Sequence, residues 1–320
     1  MKARFYPTLL ITLIFISVWA SACAKPQADS GPVTVKIAVL PILDTLPLYV
    51  AWQEGLFTAR NINVEFIPAA SAAERDQIIS AGQADGMIND PVSTLFYNKD
   101  QIQIQIVRLA RTSTASQSQF QILASPRSGI TTIAGLKGVD IGVSKGTVIE
   151  YVTERLLQFE GFQPEDIRTI SVPGISDRMS LLSSGELKAA TLPDPLSLLA
   201  AQQGAILVLD DTRHPEVAYS VIAFRKPFID QHPEAIKNFL AALEESVTKV
   251  NANPKQWDNL LTEQKLVPAP LVSSYQVPVY PKAGVPSEAQ WQDALSWTKE
   301  KGLISADVSY QDSVNASFLP

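Results

Sequence analysis

Two segments about a hundred residues apart place the same polar residues next to predicted helix starts. The first, residues 80–96, reads SAGQADGMINDPVSTLF, and the second, residues 183–199, reads SSGELKAATLPDPLSLL. In each, a helix ends at glycine, a short apolar strand follows, and Asp-Pro begins another helix, because Asp is a favoured N-cap and proline fits the first helical position. Helix N-termini present unpaired N–H groups and partial positive charge. The chemistry that this pattern predicts is therefore the binding of anions and polar acceptor atoms.

Other predicted junctions between a strand and a helix also carry polar residues. Ser71 and Thr147 each stand three residues before a glutamate, which is the pattern of a capping box. Gly146 and Thr147 are the strongest single candidates for a ligand contact, because the run SKGT at 144–147 combines polar groups with a helix start. Four of the polar residues at these junctions are also fully explained as helix caps: Ser71, Asp90, Thr147 and Asp194.

The elements that position these junctions form two similar halves. The strand VKIAV at 35–39 matches VDIGV at 139–143 with an offset of 104 residues. Later landmarks keep nearly the same offset, with Pro68 and Pro173 105 residues apart and Gly82 and Gly185 103 apart. This internal repeat predicts two β-α-β-α-β-α halves, and strands that alternate with helices predict mainly parallel sheets flanked by helices. Two such halves that face each other would form a cleft that closes on a ligand.

The composition excludes several classes of function. Apolar residues make up 46% of the 320 residues and charged residues 18%, which is typical of a folded domain with a real core. The net charge of −6 offers no basic surface for nucleic acid. Two histidines and one cysteine give no spacing for metal ligands, and neither a G-x-G-x-x-G motif nor a P-loop occurs. We therefore expect no metal and no cofactor.

The first 22 residues have the layout of a secretory signal. Lys2 and Arg4 precede an apolar run at 9–19, and small residues follow directly before Cys23. This arrangement resembles a bacterial lipobox, which implies cleavage before Cys23, acylation of its thiol and a lipid-anchored protein outside the cytoplasm. Residues 23–32, rich in small and polar residues, are expected to form a flexible tether. An ordinary signal peptide or an uncleaved anchor, with Cys23 incidental, is the alternative.

Two further motifs carry a resemblance to a known family. The pattern P-x-x-x-A-x-x-x-G-L-F at 47–57 and S-x-G-Q-A-D-G at 80–86 resemble substrate-binding proteins of bacterial ABC importers. The branch is the one for nitrate, sulfonates and taurine, which includes thiamine-pyrimidine relatives. The resemblance covers about residues 33–310 and implies a two-lobed α/β fold of the type II periplasmic-binding-protein kind. It also implies a small-molecule ligand at the hinge and delivery to a permease with a cytoplasmic ATPase. We expect a monomer with lobe 1 at 33–118 plus 225–320 and lobe 2 at 119–224.

Carried onto this sequence, the resemblance places the ligand in the loops that hold Asp44, Thr45, Ser71, Asn89, Asp90, Thr112, Ser113, Ser144, Gly146, Thr147 and Asp194. Four aromatic residues are candidates for stacking on a ring, with core packing as the alternative: Tyr49, Trp52, Tyr151 and Tyr219. Arg111 and Arg178 are nearest the predicted loops and could pair with an anion, although a solvated surface position is favoured for each. An anion and a neutral heterocycle, such as a pyrimidine or flavin precursor, both fit these residues.

Two other readings of the sequence stay open. Gly142 to Gly146 match G-x-S-x-G between a predicted strand and helix, which is the context of a nucleophilic serine at Ser144. Asp194 or Asp210, followed by His214 or His232, would complete the order of a triad. No HGGG-type run supplies an oxyanion hole, however, so we expect a binding protein and no enzyme. A tethered ligand-sensing lipoprotein is the remaining alternative, since it would bind a solute without a permease.

Overall fold

A computed structural model describes Met1 and residues 31–320 of the chain. The signal peptide, Cys23 and most of the expected tether lie outside the described residues, so the lipid anchor stays a prediction. The part from Val33 to Pro320 forms one compact unit. No helix among the described residues has the length and apolar character needed to cross a membrane.

The described residues contain ten β-strands and twelve α-helices. The strands are β1 Val33–Val39, β2 Ile62–Pro68, β3 Gly86–Asn89, β4 Ile104–Thr112, β5 Phe120–Ala124, β6 Asp140–Val143, β7 Arg168–Ser171, β8 Ala189–Pro193, β9 Ile206–Asp210 and β10 Tyr219–Arg225. The helices are α1 Leu46–Gln53, α2 Ala72–Ser80, α3 Pro91–Asn98, α4 Val148–Phe159, α5 Ile175–Ser184, α6 Leu196–Gln202, α7 Lys226–Gln231, α8 Pro233–Ala252, α9 Asp258–Glu263, α10 Ala269–Val272, α11 Glu288–Glu300 and α12 Tyr310–Ser313.

The strands form two five-stranded sheets with matching topology. The first has the order β2-β1-β3-β10-β4 and the second the order β7-β6-β8-β5-β9. In each sheet four strands run parallel and one, β10 or β5, runs antiparallel between its neighbours. The repeated strands β1 and β6 occupy the same position in separate sheets, as the repeat predicts. The expected two mainly parallel sheets, flanked by helices, are confirmed.

The antiparallel strand of each sheet is the one that enters from the other half of the chain. β4 leads through residues 113–119 to β5, and β9 leads through residues 211–218 back to β10. We call these two links the crossing segments. Because β10 pairs with β3 and β4, residues 219–224 belong to the first lobe. The boundary between the second lobe and the return to the first, expected after residue 224, is therefore corrected to a position before Tyr219. The alternation of apolar and polar residues predicted the strand but could not show which sheet it joins.

The crossing segments are joined to each other by one buried carboxylate. Asp211 accepts hydrogen bonds from the Ser113 hydroxyl at 2.7 Å and from the Phe120 N–H at 2.7 Å. It also accepts from the Gln119 N–H at 3.0 Å, and the Ser113 N–H donates to the Ala218 carbonyl at 2.9 Å. Both chain crossings are therefore held in one hydrogen-bonded unit between the lobes.

Local sequence explains where the helices next to the cleft begin. Ser71 accepts from the Glu74 N–H at 3.1 Å, and Glu74 in turn accepts from the Ala70 N–H at 2.8 Å. Thr147 accepts from the Ile149 N–H at 3.2 Å in the same way. Asp90 accepts from the Ser93 N–H at 2.8 Å and so caps α3. These side chains satisfy N–H groups that the first helical turn leaves without partners.

The C-terminal residues reinforce both lobes. The apolar stripe of α8 covers the first sheet, with Phe239 and Leu240 fully buried. Helix α11 packs on α3 of the first lobe and also contacts α4 of the second, where Trp297 Nε1 donates to Glu154 at 2.8 Å. One apolar cluster runs continuously from α3 through α4 to α11. The two lobes therefore share a hydrophobic contact beside the cleft.

Candidate ligand-binding cleft

A cavity of about 60 Å³ lies between the two sheets and is lined by residues from both lobes. It lies where β3 and β8 end and α2, α4 and α5 begin, which is the position where open α/β sheets bind ligands. On an allowance of about 10–15 Å³ for each water-sized atom, it holds roughly four to six such atoms. Of the residues predicted to contact a ligand, it brings together Asp44, Asn89, Asp90, Ser144 and Asp194.

The other predicted ligand residues lie outside the lining of this cavity. Thr45 donates to the Ile42 carbonyl, and Ser71 and Thr147 serve as helix caps. The Gly146 N–H donates to Glu150 Oε2 at 2.8 Å, so a carboxylate of α4 itself occupies that helix start. The last two residues, Thr112 and Ser113, stand at the end of β4 and in a crossing segment.

Three buried arginines line the cavity, and they are its main unpredicted feature. The exposed fractions of Arg75, Arg111 and Arg178 are 3%, 2% and 0%. The solvated surface positions expected for Arg111 and Arg178 were wrong, because both side chains turn inward beside the cleft. The repeat held a usable indication, since Arg75 and Arg178 are 103 residues apart, the same offset as Gly82 and Gly185.

Arg111 joins the lobes through carboxylates on both sides of the cleft. Its Nη2 lies 2.7 Å from Asp194 Oδ2 in the second lobe, and its Nη1 lies 3.8 Å from Asp44 Oδ2 in the first. The Tyr275 hydroxyl also donates to Asp194. The prediction that Asp194 caps α6 was wrong: that helix begins after Pro195, and Arg111 and Tyr275 take the carboxylate instead.

Asp44 is held from both lobes as well. It accepts from Gln119 Nε2 at 3.1 Å and from the hydroxyl of Ser220. Burial raises the pKa of Asp44, and the positive charge of Arg111 opposes that rise. Asp44 and Arg111 therefore depend on each other for a stable charge in a site that water barely reaches.

Arg75 is fully neutralised by its own lobe. Its Nη2 lies 3.1 Å from Asp90 Oδ2 and 2.8 Å from Asp76 Oδ1, and its Nη1 donates to the Ile88 carbonyl at 3.2 Å. Burial works to lower the pKa of Arg75, but Asp76 and Asp90 together raise it above its usual value. This guanidinium is a structural member of the cavity wall.

Arg178 has only carbonyl partners. Its Nε donates to the Thr191 carbonyl at 3.1 Å, and its Nη1 donates to the carbonyls of Val172 and Pro173 at 2.8 and 2.9 Å. Within the part of the chain that the structure describes, no carboxylate lies within 4.0 Å of it and its Nη2 has no hydrogen-bond partner. Burial lowers the pKa of Arg178 to about 10, against the opposing influence of Asp177.

Further cavity residues carry buried polar atoms without a hydrogen-bond partner among residues 31–320. These atoms are the oxygens Asn89 Oδ1 and Gln119 Oε1, the hydroxyl of Tyr219, and Nε and Nη1 of Arg111. A buried polar group without a partner costs free energy comparable to a lost hydrogen bond. Several such groups therefore surround one cavity, although most of the surface that the cavity exposes is apolar.

The remaining candidates for chemistry lie apart from one another. Ser144 is buried and lines the cavity, but His214 contacts Glu216 and Phe159, and His232 packs against Phe228. Among the described residues no histidine is paired with Ser144, and no group of three or more metal-ligating side chains occurs. The structure therefore places neither histidine where the predicted triad needs it. Of the four aromatic candidates, Tyr219 alone lines the cavity.

Two lobes of matching topology, linked by two crossing segments around a shared cavity, define the periplasmic-binding-protein fold. The alkanesulfonate-binding protein SsuA from Xanthomonas axonopodis pv. citri, bound to MOPS, superposes with a TM-score of 0.75 at 17% identity, covering 89% of this chain and 99% of that one. The nitrate-binding protein NrtA from Synechocystis PCC 6803 gives a TM-score of 0.72 at 17% identity, covering 90% and 87%.

The sequence comparisons identify the family. The chain belongs to the family described as NMT1/THI5 like, which it matches over residues 43–257. A putative aliphatic sulfonates-binding protein of Escherichia coli is 28% identical over 155 residues, which is 48% of this chain. That match likewise spans 48%, or about half, of the E. coli protein's length.

Proposed function

We propose that this chain is the extracytoplasmic solute-binding protein of an ABC importer. It captures a small organic molecule or anion between its lobes and delivers it to a permease with a cytoplasmic ATPase. The observation that carries the proposal is the interlobe cavity, in which both lobes present buried polar atoms without partners. The names of its relatives, which refer to aliphatic sulfonates, alkanesulfonate and nitrate, support a small oxyanion or a related solute.

The mechanism is capture by closure, with no bond made or broken. An open cleft admits the solute, and closure brings the polar atoms of both lobes around it in a region that excludes water. Because the interlobe contacts made by Arg111 and Asp44 form at the same time, closure and capture are energetically linked. The permease then distinguishes the closed, loaded form from the open one.

We further propose that Cys23 carries a lipid anchor and that the protein acts as a monomer at the outer face of the membrane. A tether of about ten residues would let the folded part reach a neighbouring permease. This proposal depends on the lipobox resemblance of the sequence before Cys23.

A thermal-shift screen tests solute capture. The purified full chain is heated with sulfonates, nitrate, thiamine-pyrimidine precursors and flavins, and a true ligand at 100 times its Kd stabilises the folded form by about 2.7 kcal/mol. Ala72→Trp, which places a large side chain at the cavity lining, is expected to abolish the shift. The neighbouring Ala73 lies outside the lining and is exposed, so Ala73→Trp is the matched control and is expected to retain it.

If Ala72→Trp keeps the full ligand-induced shift, the solute binds elsewhere and the interlobe site is contradicted. Transport is tested separately by measuring uptake of the identified solute in cells that lack this chain. Loss of uptake supports delivery to a permease, whereas unchanged uptake favours a tethered ligand sensor.

A further inference from the structure

The two lobes place an arginine at equivalent positions, and the comparison between them is informative. Arg75 in α2 and Arg178 in α5 are 103 residues apart. Arg75 donates to the Ile88 carbonyl of β3, and Arg178 donates to the Thr191 carbonyl of β8, which is again 103 residues away. Both guanidinium groups therefore bind the same strand of their own lobe, and both line the cavity.

Only the arginine of the first lobe has its charge balanced. The carboxylates that neutralise Arg75 are Asp76 and Asp90. The position equivalent to Asp76 is Met179, which carries no charge. The aspartate in the Asp-Pro motif of the second lobe, Asp194, is bound instead by Arg111 and Tyr275. The second lobe has thus kept the buried guanidinium without a carboxylate within 4.0 Å among the described residues, and Asp177 acts on it only from beyond that distance.

A buried, unpaired positive charge is costly to a folded protein. Its desolvation penalty is compensated only when an opposite charge approaches in good geometry. Three carbonyls orient the Arg178 side chain, which lines the cavity, and its Nη2 is a buried donor without a hydrogen-bond partner among the described residues. An oxyanion at this point would supply both the missing charge and the missing acceptor.

We propose that Arg178 is the specificity-determining residue of the site and binds an oxyanion group of the solute. The captured solute is therefore a small carboxylate, sulfonate or similar anion and not a neutral heterocycle. This inference rests on the proposed function of solute capture in the cavity. The space of about 60 Å³ suits the oxyanion head of such a solute in the closed form. Arg75, with two carboxylates of its own, contributes no net positive charge.

Isothermal titration calorimetry with matched pairs of solutes tests the proposal without any variant. Each pair shares a shape and differs in charge: acetate and acetamide, methanesulfonate and dimethyl sulfone, benzoate and benzamide. The purified full chain is titrated at constant ionic strength. We expect at least one oxyanion to bind with 1:1 stoichiometry and at least about tenfold more tightly than its neutral counterpart. Equal binding within every pair, or no oxyanion binding at all, overturns the assignment.

The variant Arg178→Gln tests the residue itself. We expect it to weaken binding of the oxyanion roughly 10- to 100-fold, because a charge-assisted hydrogen bond is lost, and to leave binding of the neutral partner unchanged. Arg168→Gln removes the same charge from an exposed position of the second lobe and is expected to bind like the natural chain. Undiminished binding by a folded Arg178→Gln protein contradicts the proposal.

The outcomes separate this inference from the proposed function. If a neutral pyrimidine stabilises the chain and the Ala72→Trp substitution removes that effect, capture in the cleft stands and the oxyanion assignment fails. If none of the charged or neutral solutes binds, both the oxyanion assignment and solute capture are contradicted. If Arg178→Gln does not fold, the charged and neutral pairs on the natural chain still decide the question.

Discussion

The interlobe ion pair of Arg111 makes the sharpest prediction about stability. In Arg111→Met, Asp194 loses a partner at 2.7 Å and Asp44 loses a positive charge at 3.8 Å, and both carboxylates stay buried. Removing one partner of a buried ion pair typically costs about 3–5 kcal/mol, because the remaining charge is left uncompensated. We expect the free energy of unfolding, measured by urea titration at pH 8, to fall by that amount.

The pH dependence of this variant provides an internal check. Burial raises the pKa of Asp44, and Arg111 is the main group that holds it down. Without Arg111, Asp44 in the folded protein retains a proton at pH values where the unfolded chain has released it. The folded state then binds more protons than the unfolded state, so the free energy of unfolding falls as the pH rises. The deficit of Arg111→Met is therefore expected to be smaller at pH 5 than at pH 8.

Two controls define the result that refutes this reasoning. Arg168→Met breaks an exposed pair with Asp140 and is expected to cost no more than about 1 kcal/mol. In a double-mutant cycle with Asp194→Asn, we expect Arg111→Met to show a coupling energy of about 0.5–3 kcal/mol. A loss below about 1 kcal/mol at pH 8, or no coupling, shows that the pair does not hold the lobes together.

Three further predictions concern other parts of the chain. Burial raises the pKa of Asp211 to about 6. The stability that this group contributes is present below about pH 4 and is lost as the pH rises through 6, by roughly 3 kcal/mol. In urea titrations at a series of pH values, we expect the free energy of unfolding of Asp211→Asn to vary less with pH, and an unchanged dependence on pH contradicts the shift. Trp297→Phe removes the hydrogen bond from Trp297 Nε1 to Glu154 and is expected to lower the free energy of unfolding by about 1–3 kcal/mol. The control Trp52→Phe, at a side chain that is 54% exposed, is expected to change it by less than about 0.5 kcal/mol. Cys23→Ser is expected to release the protein from membranes and to prevent labelling by a radioactive fatty acid, and a natural chain that takes up no label rules out the anchor.

The internal repeat made the fold predictable from sequence. Matching strands and glycine stops at a nearly constant offset predict two similar halves, and strands that alternate with helices predict a mainly parallel sheet in each. The antiparallel strands were beyond this reasoning, since alternation at 219–224 identifies a strand but not its partners. Those partners, β3 and β4, come from the distant first half of the chain.

The site was predictable in position but not in chemistry. Five predicted residues, Asp44, Asn89, Asp90, Ser144 and Asp194, line the cavity because polar residues at the carboxyl ends of strands meet there, and their contact with a ligand stays a prediction. The burial of Arg111 and Arg178 was not predicted, and Arg75 was not named, because charged side chains usually lie at the surface. Their burial depends on carboxylates and carbonyls contributed by distant segments, which local sequence patterns do not reveal.

The division between capping and binding also depends on long-range contacts. Asp90 and Asp194 follow the same local pattern, yet Asp90 caps α3 whereas Asp194 is bound by Arg111 and Tyr275. The last residues of β4, in the first lobe directly before a crossing segment, bring Arg111 to this point. The two copies of the motif therefore have the same local sequence pattern but different side-chain partners.

Closure of the two lobes around a solute is tested most directly by measuring the distance between the lobes. Dyes on Ala73→Cys and Ser176→Cys, in a chain with Cys23→Ser, would report on two exposed positions in the first turns of α2 and α5, one in each lobe beside the cavity. By single-molecule fluorescence energy transfer, we predict that saturating solute shifts a broad distribution of distances to one shorter distance. A distribution that stays the same while calorimetry records saturated binding would contradict capture by closure.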